Sequence, residues 1–308
     1  GTDLERHRDF AGTHPGRPAA RHHALVAHQR RAGPGVAHLL GRAAHVDVDD
    51  LRAVVDVVAR GLGQLPLVNV ASAGYLAAHG TPTALAQSHP HLFAALPVYV
   101  PAAEVRAMTR VVEAIEAVAA TAAWRRAVLA WAPAIAAFDP GSPGGLLGFD
   151  FHLGPDGPRL IEINTNPGGV MINALLVEAQ QLCLPTLTAP AVGVADVGEA
   201  AVDVLLAEWD AQSPGGRRGV LAIVDEAPAA QYLYPEFVLF RDRLRARGIE
   251  ALICDPQDLA FRDGRLWHGD QAIGFVYNRC TDFALAAPGT AALRAAYLDR
   301  AVALSPHP

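Results

Sequence analysis

The sequence predicts an α/β protein whose front part is of the more segregated α+β kind. Three observations carry that expectation. From residue 220 onward, short apolar runs alternate with helix-like segments, the order that builds a mainly parallel sheet. Around residues 148–165, two runs of alternating polar and apolar residues flank a Gly-Pro-Asp-Gly turn signal. Before them lie long stretches with apolar residues three and four apart, the spacing of amphipathic helices.

In chain order, residues 1–45 are rich in Arg, His, Gly and Pro and form an N-terminal arm with little reason to order. The histidines of "RHHALVAHQRR" have no closed metal-ligand spacing, so they read as a solvated arm. "DVDDLRAVVDVVARGLGQL", 47–65, starts on Asp and runs to Gly, as a capped helix does, and "PLVNVAS" after it reads as a short strand. "PAAEVRAMTRVVEAIEAVAATAAWRRAVLAWA", from Pro101, opens on Pro with an acidic residue in its first turn. It predicts a long helix broken near Thr121.

Next come the strands "LLGFDFHL" and "RLIEINT", then helices over 170–183 and 196–211. "SPGGRRG", 213–219, reads as a linker. It divides a region of helices plus hairpin, 46–212, from an α/β domain, 213–308. That domain is read as strand "VLAIVDE", helix "YPEFVLFRDRLRARG", strand "EALIC", hairpin "RLWHGDQAIGFVYNR", a helix ending at Arg300 and a last strand "AVALS".

Composition narrows the function classes. Hydrophobic residues make up 51% of the chain, yet no run has the roughly 18–20 apolar residues of a membrane span, and the expectation is a cytoplasmic protein without a membrane partner. The three cysteines, Cys183, Cys254 and Cys280, form no CxxC and read as buried thiols. A net charge of −6 gives no basic footprint for nucleic acid. All 25 of the Lys plus Arg residues are arginine, which removes any chemistry that needs a lysine ammonium.

The stretch "FDFHLGPDGPRLIEINTNPGG" holds most of the functional signal. Side chains alternate along strands, so Glu162 and Asn164 share one face and Ile161 and Ile163 the other. If Phe149, Phe151 and these isoleucines share a core, Asp150 stands opposite Glu162, which asks for an odd-numbered connection such as the five residues 154–158. Two facing carboxylates raise each other's pKa unless a cation lies between them. With the amide oxygen of Asn164 they form a hard-oxygen set suited to Mg²⁺ and phosphate. The same alternation also describes a solvated face of a half-exposed antiparallel sheet. After Asn166, the glycines Gly168 and Gly169 precede a helix and offer backbone N–H groups to an anion, or simply make a turn and cap.

"EINTNPGG" after a strand with Asp150 resembles the metal-binding end of ATP-grasp carboxylate-amine ligases. The order of parts, from "GFDFHL" and "RLIEINT" to "FVYNRCTDF" and "AVALSPHP", is similar to the circularly permuted branch typified by eukaryotic glutathione synthetase. The resemblance covers 145–308 well and the preceding helices loosely. It implies a partial circularly permuted ATP-grasp fold, with a helical N-terminal region and a small parallel α/β substrate domain. It implies Mg²⁺ on Glu162 and Asn164, Asp150 as a further acidic group at the metal or the phosphates, and Arg279 clamping the acceptor substrate; the backbone N–H groups around Asn166, Gly168 and Gly169 are then expected next to the ATP phosphates. The activity implied is an ATP-dependent joining of a small-molecule carboxylate to an amine through an acyl phosphate, with a homodimer allowed.

Two departures stand beside the resemblance. The lysines that hold ATP in such ligases are missing, and no basic residue lies just ahead of Asp150. The expectation is therefore a front part of a longer enzyme whose nucleotide-holding half follows. A non-catalytic relative that binds a small molecule or a partner is the second reading. A metal-dependent hydrolase using His152 with Asp150 and Glu162 is the third. Glu226 and Gln231, in the loop after the first strand of the α/β domain, could approach substrate or be ordinary loop polarity. Trp124, Trp131, Trp209 and Trp267 read as core or amphipathic-face residues.

Overall fold

The computed structural model describes residues 92, 100–175 and 194–308. The expected N-terminal arm, the helix and strand over 47–72 and Cys183 lie outside the described residues. What is described is a mixed α/β structure with a two-stranded hairpin and a six-stranded mixed sheet.

Helix α1, Ala102–Ala119, follows Pro101 and carries Glu104 in its first turn, where the helix dipole favours negative charge. The break near Thr121 is present. Helix α2, Ala122–Leu129, starts afresh with the Thr121 side chain accepting from the N–H of Trp124 at 3.1 Å. Trp124 and Trp131 are exposed, whereas Trp209 is core.

Strands β1, Gly148–Gly154, and β2, Gly157–Asn164, pair antiparallel, and Asp150 does face Glu162. The route to that register differs from the sequence expectation. The connection is not five residues but two, Pro155 and Asp156, with Gly157 in the left-handed region at φ 96°. Continued unbroken, that tight turn would set Asp150 against Ile161. A β-bulge between Asp150 and Phe151 places Ile161 as the extra residue and shifts the pairing by one.

The bulge also alters what is buried. Phe149 and Phe151 pack on Met108 and Val112 of α1, with Leu153 and Leu160 at the margin. Ile161 and Ile163, expected in the same core, are 57% and 40% exposed.

After the hairpin, helix α3 opens at residue 170 and is described to 175. Helix α4, Val194–Gln212, leads through a turn to β3, Val220–Val224. Helix α5, Tyr234–Ala246, returns the chain to β4, Ala251–Cys254. Then come β5, Leu259–Arg262, β6, Arg265–His268, and β7, Gln271–Asn278. Helix α6, Ala291–Leu298, and β8, Ala303–Ser305, complete the sheet.

Strands β4, β3, β7 and β8 lie side by side and parallel. One edge of β7 is shared, its first half pairing antiparallel with β6 and its second half parallel with β8. Alternation then sends Leu221, Ile223, Phe275 and Tyr277 to a core with α4, α5, Val170 and Met171. Ala222, Val224 and Val276 face the opposite core with α6. No helix among the described residues is long and apolar enough to cross a membrane.

Candidate functional site

From β3 the chain crosses to β4 on one side, and from β4 it passes to β7 on the other. The reversal falls between β3 and β7, and open α/β sheets bind ligands in the crevice beyond the C-terminal strand ends at such a reversal. Val224 pairs with Asn278 in the last rung, so Asp225 and Arg279 leave the sheet side by side. The N–H of Arg279 still donates to the Val224 carbonyl at 2.8 Å, which fixes both strand ends.

Arg279 is only 9% exposed. Its Nη1 donates to Asn166 Oδ1, to the Pro167 carbonyl at 2.7 Å and to the Tyr277 hydroxyl at 3.3 Å. The guanidinium carbon also lies 5.3 Å from the Tyr277 ring centroid, a cation–π distance. Burial pushes the Tyr277 phenol up to about 12, so it stays neutral. Three acceptors thus crowd one corner of the guanidinium, while its Nε is buried without a hydrogen-bond partner among the described residues. Nε and Nη2 form the flat side of the fork that carboxylates engage in two parallel bonds. Leaving a buried donor unpaired costs about 1–3 kcal/mol, so Nε is a donor at which an added acceptor would gain a hydrogen bond.

Asp225 follows the buried end of β3. Burial pushes its carboxyl up to about 6, against the pull of the Glu226 N–H and the Arg279 charge. Its Oδ1 accepts the Glu226 N–H at 2.9 Å. Nearby, Asp255 Oδ2 accepts the N–H of Ala227 at 2.7 Å, holding a residue with φ 42° in the loop after β3. Gln231 donates to the Glu226 carbonyl at 2.7 Å, which shapes that loop from within.

The segment after β2 joins this crevice to the hairpin. Asn166 and Pro167 meet Arg279, as above, and Asn166 Nδ2 reaches the Cys280 carbonyl at 3.5 Å. A Cβ at Gly168 would lie 2.4 Å from Leu233 Cδ1 and 3.3 Å from Arg279 Nη2, so a side chain there would turn the end of Leu233 aside. Gly169 has φ 94°, a conformation glycine adopts without strain. Its N–H donates to Glu236 Oε2 at 2.7 Å, and the Met171 N–H donates to Glu236 Oε1 at 2.9 Å. The anion at this helix N-terminus is therefore the protein's own carboxylate. Glu236 is 1% exposed, and burial raises its pKa while Gly169 and Arg279 pull it back.

On the hairpin, Asp150 stands opposite Glu162, and Asn164 two residues on donates from Nδ2 to Glu162 Oε1 at 3.1 Å. That amide orientation leaves Oδ1 as the acceptor end of Asn164, beside Glu162, with Asp150 across the strand pair from Glu162; two carboxylates and an amide oxygen are donors of the kind a hard divalent cation takes. Glu162 is exposed and Asp150 and Asn164 half-buried. His152 is exposed and paired with Arg159, not with a carboxylate. Among the described residues, no three His, Cys, Asp or Glu side chains gather as a metal set, so the hydrolase reading through His152 finds no support.

Seven residues singled out from sequence thus fall into two groups linked by one loop. Asp150, Glu162 and Asn164 occupy the hairpin; Asn166, Gly168 and Gly169 form the loop that grips Arg279. Asp282, the nearest acidic residue to Arg279 in sequence, instead accepts from the N–H groups of Ala286 and Ala287 and from Thr290. Sequence reasoning missed Asp225 and Glu236. Asp225 had a signal, being the first residue beyond a parallel strand. Glu236 had none, because a glutamate in a first helical turn reads as an ordinary dipole partner.

No protein-family model matches this chain, and no curated protein matches it either.

Proposed function

We propose that the chain supplies the metal-binding and acceptor-binding ends of an ATP- and Mg²⁺-dependent carboxylate-amine ligase of the permuted ATP-grasp kind, forming an amide or peptide bond through an acyl phosphate. The observation that carries this reading is the buried Arg279 at the sheet reversal, with Nε unpartnered and its other corner held by the loop that continues from Glu162 and Asn164.

Asp150, Glu162 and Asn164 would hold Mg²⁺, which when bound offsets charge on the phosphates. The Nε and Nη2 edge of Arg279 orients the acceptor by its carboxylate. Asp225, beside it, is ionised at neutral pH and attracts the ammonium of the same acceptor; its Oδ2 can take one proton from that ammonium, freeing the lone pair that attacks the acyl carbon, and the second N–H proton leaves with the phosphate as the acyl C–O bond breaks. The chain contributes alignment and charge, the main demands of phosphoryl transfer, and needs no nucleophilic side chain.

Calorimetric titration of the chain with Mg²⁺ and ATP tests the metal half. The expected result is a weak heat of binding that Glu162→Ala abolishes; identical titrations of the two proteins would refute it.

One observation favours a second reading, a non-catalytic small-molecule binder of related architecture. The N–H groups of Gly169 and Met171, which a phosphate would use, are already taken by Glu236. Binding of a carboxylate to Arg279 with no response to Mg²⁺ and ATP would support it.

A further inference from the structure

Glu236 is a fully buried carboxylate with no role in the chemistry above. Its two oxygens hold two N–H groups of a segment 65 and 67 residues away in sequence. Upstream of those N–H groups the same segment supplies Asn166 Oδ1 and the Pro167 carbonyl to Arg279 Nη1. Between them Gly168 is wedged against Leu233, at the N-terminus of the helix that carries Glu236. The loop is thus pinned at one end by α5 and at the other by the guanidinium.

We propose that Glu236 is a positioning residue: by holding the N–H groups of Gly169 and Met171 it fixes the 166–169 loop, and so turns the Nε and Nη2 edge of Arg279 toward the acceptor carboxylate. This rests on Arg279 being the carboxylate clamp. Arg279 alone has backbone freedom only at its strand end, but its long side chain has several rotamers. What selects one of them is the pair of acceptors on the loop. What keeps those acceptors in place is Glu236.

A role as mere counter-charge to Arg279 makes a different forecast. Glu236→Asp keeps the charge but shortens the arm by one methylene, so it cannot reach both N–H groups. Glu236→Gln keeps the length and offers only one acceptor oxygen. Positioning fails in both variants; charge compensation survives in Glu236→Asp.

The test follows the Arg279 Nε–H resonance of the full chain during titration with acetate, the simplest carboxylate probe, with Arg279→Lys to assign the signal. In the wild-type protein the resonance should shift on acetate addition. In Glu236→Gln and Glu236→Asp the acetate affinity should fall by about tenfold, the scale expected when a supporting buried hydrogen bond is lost. Wild-type affinity in either variant would overturn the role of Glu236 and leave the clamp standing. No acetate response in the wild-type protein would overturn the clamp itself, and the positioning role with it. If neither variant folds, hydrogen exchange on the wild-type protein decides: acetate should slow exchange at Gly169, Met171 and Arg279 Nε together. Protection at Arg279 alone would overturn the inference.

Discussion

Asp225→Asn isolates one buried charge at the crevice. Burial lifts the Asp225 carboxyl from 3.8 to about 6. Its folded-state pKa therefore lies above its unfolded value, and between pH 4 and 6 the native protein holds a proton that the unfolded chain has released. Stability consequently falls as pH rises through that window. At about 1.4 kcal/mol per pH unit, the rise corresponds to an upper bound of roughly 3 kcal/mol lost by pH 7. Asparagine keeps an oxygen for the Glu226 N–H but does not titrate. The difference in unfolding free energy between wild type and Asp225→Asn should therefore shift in favour of the variant by up to that amount from pH 4 to pH 7. Glu236 and Glu208, whose carboxyls burial also raises, slope the same way in both proteins and cancel in the difference. Urea unfolding at four pH values, followed by fluorescence of the buried Trp209, measures it. A difference that stays constant within about 0.5 kcal/mol across the window would show that the Asp225 carboxyl is not perturbed.

Other substitutions probe the remaining joints. Gly168→Ala turns the end of Leu233 aside and should destabilise by about 0.5–1.5 kcal/mol, the cost of an off-rotamer side chain, read as a lowered urea midpoint. Phe151→Ala empties the contact between hairpin and α1 and should cost about 3–5 kcal/mol. Glu162→Ala removes an exposed side chain, so stability should stay within about 0.5 kcal/mol while Mg²⁺-dependent nucleotide binding disappears. Ile161→Ser, at the exposed bulge, should be nearly silent in the same unfolding assay.

The α/β order after residue 220, the helix break at Thr121 and the opposition of Asp150 to Glu162 were legible in the sequence, because each follows from local periodicity or a local cap. The means of that opposition was not. A two-residue turn with a bulge and a five-residue turn without one satisfy the same alternation, and choosing between them depends on how β2 leaves α1. For the same reason Ile161 and Ile163 read as core and lie partly in water. The candidate site divided similarly. Arg279, Asn166 and Gly168 stood out by residue type beside strand ends and turns. Glu236 came to light only with the fold, since its bonds reach across more than sixty residues.

The bulge at Ile161 has a bearing on how this hairpin tolerates editing. Loss of that one residue would join Leu160 directly to Glu162 and leave both rungs, Phe151 with Leu160 and Asp150 with Glu162, facing as they do now. A residue lost between Gly154 and Gly157 has no such escape, because a two-residue turn is already the shortest common hairpin connection. This hairpin should accordingly tolerate loss of Ile161 and resist shortening at its tip.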